Sequence, residues 1–557
     1  MALISQIQKD IISNRLPPEL RRSEIIEKYF INDLKLDEDL DKLVDIDKAS
    51  SLLSKHIDKD SQIVIISDRD ADGINSAAVL YLGLRKIFNV NEMNLKVIIN
   101  PRREENGISK YCMDKLWELD SLRQVDLVIT SDHGSVNETE YKKIKEEKPW
   151  IDLLVTDHHT VQYEVYPESA DVFINPQRQE NDVFKGISGC QVALLTLVAT
   201  YKHMYPGKSL DIFNILLPYA ALTVISDVMP LDNLYNRYMV KTGLQVMNRF
   251  DNPVWIAIKK LLDIPGNITF RDVGYKIAPL INTANRTHNE ELGFKLLTAQ
   301  TLDDATAFTS SLCELNTKRK SVTAAVTKKA NIEVDLDKYP YSIVSIIDSS
   351  YAINGLVAAS IGGKYHKPVV CFIDNDDVLS GSCRANVNGY NILDVLGKVK
   401  ETDPSIIVKL GGHKGACGCS IYKNKLEVFK KLFDQFSKEE FDRLPPEEKL
   451  KPDVIISADD IEPSLGIALD ACGPYGNKWP EPLLVSELKI YRVILKGSYV
   501  DIHFSNGLNG GCFIDDLACS IESLVKDTKV NVYYSLGLSS IRGTYKFELV
   551  IKHLEIT

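Results

Sequence analysis

The stretch IVIISDRDADG (63–73) is the segment from which the fold of this chain can be inferred. Its first five residues form an uninterrupted apolar run, which is typical of a strand buried on both faces of a parallel sheet. Three carboxylates at alternate positions, Asp68, Asp70 and Asp72, follow where the chain must turn into a helix. Clustered acids repel one another unless a cation neutralises them. The stretch therefore indicates either a cation site or a polar loop with helix-capping aspartates.

Apolar runs of the same texture alternate with helical patterns up to about residue 300. The next four runs are LKVIIN (95–100), VDLVITS (125–131), IDLLVTD (151–157) and DVFIN (171–175). This alternation predicts an α/β fold with a parallel sheet covered by helices. In such folds, binding sites form at the carboxyl ends of the strands.

Acidic and histidine residues stand at the ends of several runs. Asp132 follows one run and Asp157-His158-His159 closes another. Asp227 follows ALTVIS (221–226), which, together with the run at 63–67, makes a fourth apolar run that ends in an acidic residue. A lone histidine is more often a satisfied polar residue than a ligand, but four such ends at one edge of a sheet are hard to attribute to chance. Carboxylates with imidazoles suit manganese or magnesium, and two such ions can activate a water and stabilise the leaving oxygen of a phosphoester.

The series DRDADG, SDHG, TDHH and ISDVMP resembles the four motifs of the DHH phosphoesterases. The resemblance implies two divalent ions, Mn2+ or Mg2+, at a catalytic centre. Its implied ligands are Asp70, Asp72, the bridging Asp132, His158 and Asp227. His159 is implied either to contact the substrate phosphate or to support a ligand, while Asp68 and Asp157 are implied to support and orient the ligands.

Three further segments resemble phosphate-gripping elements of this family. LGGHKGACG (410–418) is similar to the GGH loop of the DHH-associated domain, GSCR (381–384) to a G-S-x-R segment, and NTANR (282–286) to an N-x-A-x-R element. The implied substrate contacts are Gly411, Gly412, His413, Ser382, Arg384, Asn282, Arg286 and, from the segment 100–109, Arg102. Without the resemblance, each arginine is better explained as a surface salt-bridge partner.

The rest of the chain predicts several units. Helical periodicity from about 292 to 332 precedes a second α/β pattern, and period-two alternation near the end predicts a barrel of about five short strands. In terms of the family, the units are a helical lead-in (1–55), a DHH domain (56–300), a connector helix (301–336), a DHH-associated domain (337–440) and an OB-fold domain (450–557).

GPYGNKWPEP (473–482) resembles the segment that leads into the OB domain of RecJ exonucleases, so the similarity extends from about residue 60 to the end. OB domains hold single strands by stacking bases on aromatic side chains. Tyr499, Phe504, Tyr533, Tyr534 and Tyr545 are available, although some must fill the barrel. The chain departs from the RecJ pattern at Ser67, Arg69, Ser349-Ser350 and Ser360, and these changes bear on substrate grip, polarity and nucleic-acid preference.

Composition narrows the function further. A net charge of −11 argues against a protein that coats nucleic acid but is compatible with a nuclease, whose ligands are themselves acidic. The first residues do not resemble a signal peptide, no apolar run reaches 18 residues, and ten cysteines form no C-x-x-C pair. We therefore expect reduced thiols, a cytoplasmic location and no membrane contact.

The resemblance implies a 5′→3′ exonuclease that hydrolyses single-stranded DNA to 5′-mononucleotides during DNA repair, recombination or replication. A helicase and a single-strand-binding protein are the implied partners, and the oligomeric state is left open. One alternative is an exonuclease acting on RNA or on both nucleic acids. Another is an inactive scaffold subunit of a replication complex, but such a scaffold is expected to have lost several ligands, whereas all of them are present here.

Overall fold

Three sheets organise the protein in the computed structural model. It describes residues 2–30, 34–160, 166–178, 183–445, 450–497, 499–514, 517, 520–541 and 544–557. The side chain of Tyr545 lies outside the described part of the chain. The nine described cysteines are all free.

The first sheet is parallel throughout, as the unalternated apolar runs predict. Its strands stand in the order β2-β1-β3-β4-β5. They are β1 (Ile63–Ser67), β2 (Leu95–Ile99), β3 (Leu127–Ser131), β4 (Asp152–Thr156) and β5 (Val172–Ile174). The helices before and between them are α1 (Ala2–Arg15), α2 (Ser23–Phe30), α3 (Ile46–Asp58), α4 (Ala71–Lys86), α5 (Lys110–Leu122) and α6 (Glu138–Glu147). All five residues of β1 and of β3 are buried, so the sheet is covered on both faces.

A helical layer follows the sheet. It comprises α7 (Gly189–Met204), α8 (Leu217–Ser226), α9 (Leu234–Met247), α10 (Pro253–Leu261), the single turn α11 (Phe270–Asp272), α12 (Ala278–Arg286) and α13 (Glu290–Leu297). The fourth apolar run, ALTVIS, was expected at the sheet edge with the strands, and this expectation is wrong because the run forms most of α8. Short apolar runs do not distinguish a buried strand from a buried helix. The connector is α14 (Leu302–Ile332), a helix of 31 residues.

The second sheet has the order β6-β7-β8-β10-β9, and only its β6–β7 pair is parallel. Its strands are β6 (Ile343–Ile347), β7 (Val369–Asn375), β8 (Val378–Arg384), β9 (Ile407–Gly412) and β10 (Ala416–Tyr422). Its helices are α15 (Asn354–Tyr365), α16 (Ile392–Thr402) and α17 (Leu426–Arg443). The apolar residues of α16 and α17 pack on one face of this sheet, and those of α15 pack against β6 and β7.

The third sheet closes on itself as a barrel. The strands β12 (Leu484–Lys496), β13 (Tyr499–Phe504), β14 (Asn509–Phe513), β15 (Lys529–Ile541) and β16 (Thr544–Ile556) follow β11 (Val454–Ile455) and α18 (Pro463–Ala471). A β12–β15 pairing completes the ring β12-β13-β14-β16-β15. This closed ring agrees with the predicted OB fold, but three of its strands have 13 residues, so the expectation of uniformly short strands is wrong.

A buried seam joins the barrel to the first lobe. Trp479 belongs to the core of the first lobe and stacks on Tyr29 at 4.9 Å between ring centroids. The guanidinium of Arg237 lies 4.8 Å from the Trp479 ring centroid and donates to the carbonyl oxygens of Cys472, Gly473 and Pro474. Within the described residues, no helix is long and apolar enough to cross a membrane.

Candidate metal centre

The carboxyl ends of β1, β3 and β4 place the first acidic residues at one edge of the parallel sheet. Asp132 follows β3 directly in a left-handed conformation, with φ of 62°, and is 1% exposed. Asp70 caps α4, since its Oδ1 accepts hydrogen bonds from the backbone N–H groups of Asp72 and Gly73. This half of the cluster is therefore built by the turns that follow the strands.

The amino terminus of α7 holds Asp72 from the other side. Asp72 Oδ2 accepts from the N–H of Gly189 at 2.8 Å, and its Oδ1 accepts from the N–H of Cys190 at 3.0 Å. A Cβ atom at position 189 would lie 2.5 Å from Asp132 Oδ1, so only glycine allows the helix to approach this closely. Two carboxylates thus share one small buried space.

His158 directs one ring nitrogen into that space. Its Nδ1 lies 2.9 Å from the carbonyl oxygen of Ile187, which can only accept, so Nδ1 carries the proton. Its Nε2 faces Asp132 Oδ1 at 3.2 Å, Asp72 Oδ2 at 3.6 Å and Asp227 Oδ2 at 3.7 Å. An imidazole lone pair opposite carboxylate oxygens is stable only with a cation or a proton between them.

The acidic groups raise one another's pKa values. Burial, and then the charge of Asp72, raises the pKa of Asp132 well above its usual range, and raises that of Asp227 to about 7. Burial and Asp70 raise the pKa of Asp68 to about 6. Among the described residues, Asp132 Oδ1 has no hydrogen-bond partner. A site that crowds charge in this way fits divalent cations.

Three groups of side chains offer ligand atoms within 4.8 Å of one another. They are Asp68 with Asp70 and Asp132, Asp72 with His158 and Asp227, and Asp132 with His158 and His159. Asp132 occurs in two of these groups, and a carboxylate has two oxygens that can bind different ions, whereas His158 offers only Nε2. Asp68, expected only to support the ligands, therefore stands where it could itself bind an ion.

Asp157 and His159 form a separate pair behind the centre. Asp157 Oδ1 accepts from the backbone N–H groups of His158 and His159 and lies 2.8 Å from His159 Nδ1. Burial opposes this charge, but the hydrogen bond from His159 prevails and lowers the pKa of Asp157. In return, Asp157 raises the pKa of His159 to about 10 against the effect of burial. His159 thus presents a half-exposed positive ring at the cleft.

Arginines from two parts of the chain gather beside the metal centre, since Arg102 follows β2 and Arg286 ends α12, whereas Arg384 lies in β8 of the second sheet. Burial, and then the charges of Arg102, Arg319 and Arg384, lowers the pKa of Arg286 to about 10, which shows that the four guanidinium groups converge. Arg384 lies against α15, where a Cβ atom at Gly355 would come within 2.8 Å of its Nη2. Such a cluster of guanidinium groups beside the acidic centre suits an anionic substrate.

Some of the predicted phosphate contacts are partly buried, and others are exposed. Asn282 already uses its Oδ1 to accept from the N–H of Ala71 at 3.1 Å, and Ser382 lies in β8 beside Arg384. Gly411, Gly412 and His413 are exposed in the hairpin between β9 and β10. The pKa of His413 is lowered by burial and by the charges of His159 and His158, so this hairpin faces the metal centre across the cleft.

The aromatic side chains of the barrel are likewise either buried in its core or accessible to solvent. Phe504 and Tyr534 fill the core, while Tyr499 and Tyr533 are half-buried. Two aromatic side chains that the sequence did not single out, Tyr491 and Phe513, are 56% and 57% exposed. Alternation could not have revealed them, because Tyr491 lies at a register irregularity between Ile490 and Arg492 and burial does not alternate along β14.

Two other residues near the centre were missed. His133 lies beside Asp132 but turns away and bonds through Nε2 to the carbonyl oxygen of Ile66, and burial lowers its pKa to about 4. Asn477 donates to the carbonyl oxygen of Val228, next to Asp227, at 2.8 Å. The second contact spans 249 residues, and no sequence signal could have revealed it.

Comparison with known proteins agrees with this geometry. The chain matches the DHH family, N-terminal domain, over residues 62–218 and the DHHA1 domain over residues 341–439. It is 28% identical to the single-stranded-DNA-specific exonuclease RecJ of Haemophilus influenzae, over 92% of this chain and 91% of that protein. It is 25% identical to the protein of the same name from Escherichia coli, over 92% and 90%.

The fold is also similar to a solved structure. RecJ of Thermus thermophilus in complex with Mn2+ superposes with a TM-score of 0.74 at 22% identity, covering 92% of this chain and 72% of that one. The family resemblance inferred from the sequence motifs is thereby confirmed, together with the predicted fold class.

Proposed function

Because the chain combines a DHH family N-terminal domain with a DHHA1 domain and resembles RecJ exonucleases along 92% of its length, we propose that it is a metal-dependent exonuclease of single-stranded DNA. It removes 5′-mononucleotides from the 5′ end. One observation carries the proposal: a buried acidic centre adjoins a cluster of arginines to which the first lobe and the second sheet both contribute.

Two divalent ions, manganese or magnesium, are the proposed cofactors. Asp132 contributes to both, with Asp68 and Asp70 on one side and with Asp72, His158 and Asp227 on the other. When bound, the ions lower the pKa of a water molecule and neutralise the leaving oxygen of the phosphodiester. The protein keeps the ligands in place through the N–H groups of α7 and through the carbonyl oxygen that fixes the His158 tautomer.

The arginine cluster grips the terminal phosphate. Arg384 and Arg286 present planar guanidinium groups that suit bidentate contacts with phosphate oxygens. His159, with a pKa of about 10, is positive at neutral pH and stabilises negative charge on the scissile phosphate. His413 approaches from the opposite hairpin as a further donor. These groups orient the strand without forming covalent bonds to it.

The barrel contributes the grip on the following nucleotides. Tyr491 and Phe513 are exposed on β12 and β14, and bases can stack on such rings irrespective of sequence. A helicase and a single-strand-binding protein as partners, and the cytoplasm as location, stay predictions. The inactive-scaffold alternative requires lost ligands, whereas every predicted ligand lies in the described cluster.

The test is digestion of 5′-labelled and 3′-labelled single-stranded DNA with Mn2+, alongside matched RNA and duplex DNA. We expect immediate release of the 5′ label as mononucleotide, progressive shortening of the 3′-labelled strand, and no activity in Asp132→Asn. Asp114→Asn, at an exposed position, is the matched control. Cleavage of RNA alone would identify the chain as an RNA exonuclease, the first alternative. If no substrate is cleaved, the proposal is overturned.

A further inference from the structure

A groove of about 700 Å3 runs between the connector helix α14 and helix α15, outside the metal centre. We call it the α14–α15 groove. Its lining residues are Arg319, Lys320, Thr323, Ala324, Thr327, Lys328, Asn331, Ile332, Ser360 and Lys364. The residues of α14 recur at helical spacing, so one stripe of this helix forms the floor and α15 forms the wall.

The charge of the groove is entirely positive. Four of its described lining residues are cations and none is acidic. Arg319 is 7% exposed, and its Nε and Nη2 donate to Asn316 Oδ1 rather than to a carboxylate. In the described part of the chain, neither Arg319 nor Lys320, Lys328 and Lys364 forms an ion pair. Uncompensated cations in a chain of net charge −11 indicate an anion-binding surface.

Hydrogen bonds connect this groove to the metal centre. Asn316 Oδ1, which accepts from Arg319, also accepts from Thr283 Oγ1 at 3.2 Å. Thr283 adjoins Asn282, whose side chain holds the N–H of Ala71 at the start of α4. The charge of Arg319 also lowers the pKa of Arg286 in the arginine cluster. The groove therefore lies next to the arginine cluster, with Arg319 between the two.

This inference rests on the proposed function. An exonuclease that keeps hold of its strand fills the entrance of its cleft with that strand, so the released nucleotide needs another way out. We propose that the α14–α15 groove is a second phosphate-binding site, and that its ligand is the nucleoside 5′-monophosphate released by the reaction. Lys320 and Lys364 bind the phosphate, and the short side chain of Ser360 leaves the wall open. Ala324, one turn of α14 from Lys320, offers the base an apolar surface.

The experiment counts binding sites. Deoxyadenosine 5′-monophosphate is titrated calorimetrically into the full chain with Mn2+, and its inhibition constant is measured during digestion of a single-stranded oligonucleotide. The variant is Lys320→Glu with Lys364→Glu. The matched control is Lys318→Glu with Lys329→Glu, which changes the same charge at exposed positions of α14 outside the groove.

We expect two nucleotides per chain in the wild type and in the control, but one in the groove variant, whose second affinity falls at least about tenfold. Product inhibition should weaken in the variant while the KM for the oligonucleotide stays unchanged. Two nucleotides per chain in the variant would overturn the proposal. A raised KM with unchanged nucleotide binding would also overturn it, since the groove would then hold the strand. If the wild type cuts no substrate, the proposed function fails, whereas the nucleotide count still tests the groove.

Discussion

The two faces of the active-site cleft are built in opposite ways. On the first sheet, the carboxylates of Asp72 and Asp132 are almost fully buried, and backbone N–H groups fix the position of Asp72. On the second sheet, Gly411, Gly412 and His413 are exposed at a hairpin, and Arg384 is half-buried. The acidic face crowds buried carboxylates together, whereas the hairpin of the basic face is exposed to solvent.

The difference suits the acidic face to catalysis and the basic face to binding the strand. Buried ligands that already face one another need little rearrangement when ions bind, which is what catalysis by positioned charge requires. Exposed cations can follow a flexible strand as it advances. Most departures from the family pattern lie on the basic face, since Ser349, Ser350 and Ser360 lie in or beside α15. Changes in substrate preference are therefore expected there, while the metal chemistry stays the same.

The largest effect is expected at the acidic face, from Asp132→Asn. It should lower kcat/KM by at least about 1000-fold, because the shared ligand of both proposed ions loses its charge. The same substitution should raise the melting temperature of the metal-free protein, since it removes a buried carboxylate that repels Asp72. Exonuclease kinetics and thermal unfolding with a chelator measure the two effects. A metal-free variant less stable than the wild type would contradict the account of this face.

A smaller effect is expected at the basic face, from Arg384→Gln. The loss of charged contacts to the terminal phosphate should lower kcat/KM about 10- to 100-fold on 5′-phosphorylated strands. Strands with a 5′-hydroxyl should be affected much less, and Mn2+ affinity should not change. Lys423→Gln, directly after β10 and in an ion pair with Asp374, is the control. An equal loss on both kinds of strand would place Arg384 elsewhere in the reaction.

The two faces also differ in their dependence on pH. Above pH 6.5, the groups still titrating at the acidic face have folded pKa values above their unfolded ones, including Asp227 at about 7 and His159 at about 10. The folded state then binds more protons than the unfolded state, so stability falls as pH rises. The opposing effect of His133, whose pKa burial lowers from 6.5 to about 4, is largest between these two values and fades above pH 6.5.

We therefore expect the melting temperature of the metal-free protein to fall between pH 6.5 and 8. The stabilisation by added Mn2+ should grow over the same interval, because the ions replace the protons. Calorimetric scans at several pH values, with chelator or with Mn2+, measure both trends. A melting temperature that stays constant or rises over this interval in chelator would show that the carboxylates do not repel one another as described.

Local sequence patterns were sufficient to predict the acidic face, but not the helix and the seam that hold it in place. The strands β1, β3 and β4 and the acids that follow them could be predicted, because apolar runs and sheet topology together determine which residues meet. The helical state of α8 could not, since a short apolar run fits a helix as well as a strand. The seam around Trp479 could not either, because it joins segments hundreds of residues apart.

That seam leads to the smallest predicted effect. Val228 follows the proposed ligand Asp227 with a φ of 55°, a strained conformation for a β-branched residue. Asn477 holds this loop, since its Nδ2 donates to the carbonyl oxygen of Val228 and its own carbonyl accepts from the N–H of Leu231. The barrel segment thus keeps Asp227 directed at the metal centre.

Asn477→Ala should weaken Mn2+ binding about two- to tenfold, the effect of one lost hydrogen bond, without changing the fold. Adding Val228→Gly should restore part of the affinity, because glycine adopts this conformation without strain. Asn506→Ala, in the barrel but remote from this loop, is the control. Calorimetric titration with Mn2+ measures the affinities directly. If Asn477→Ala binds Mn2+ as tightly as the wild type, the barrel contributes only to strand binding, and the acidic face is independent of it.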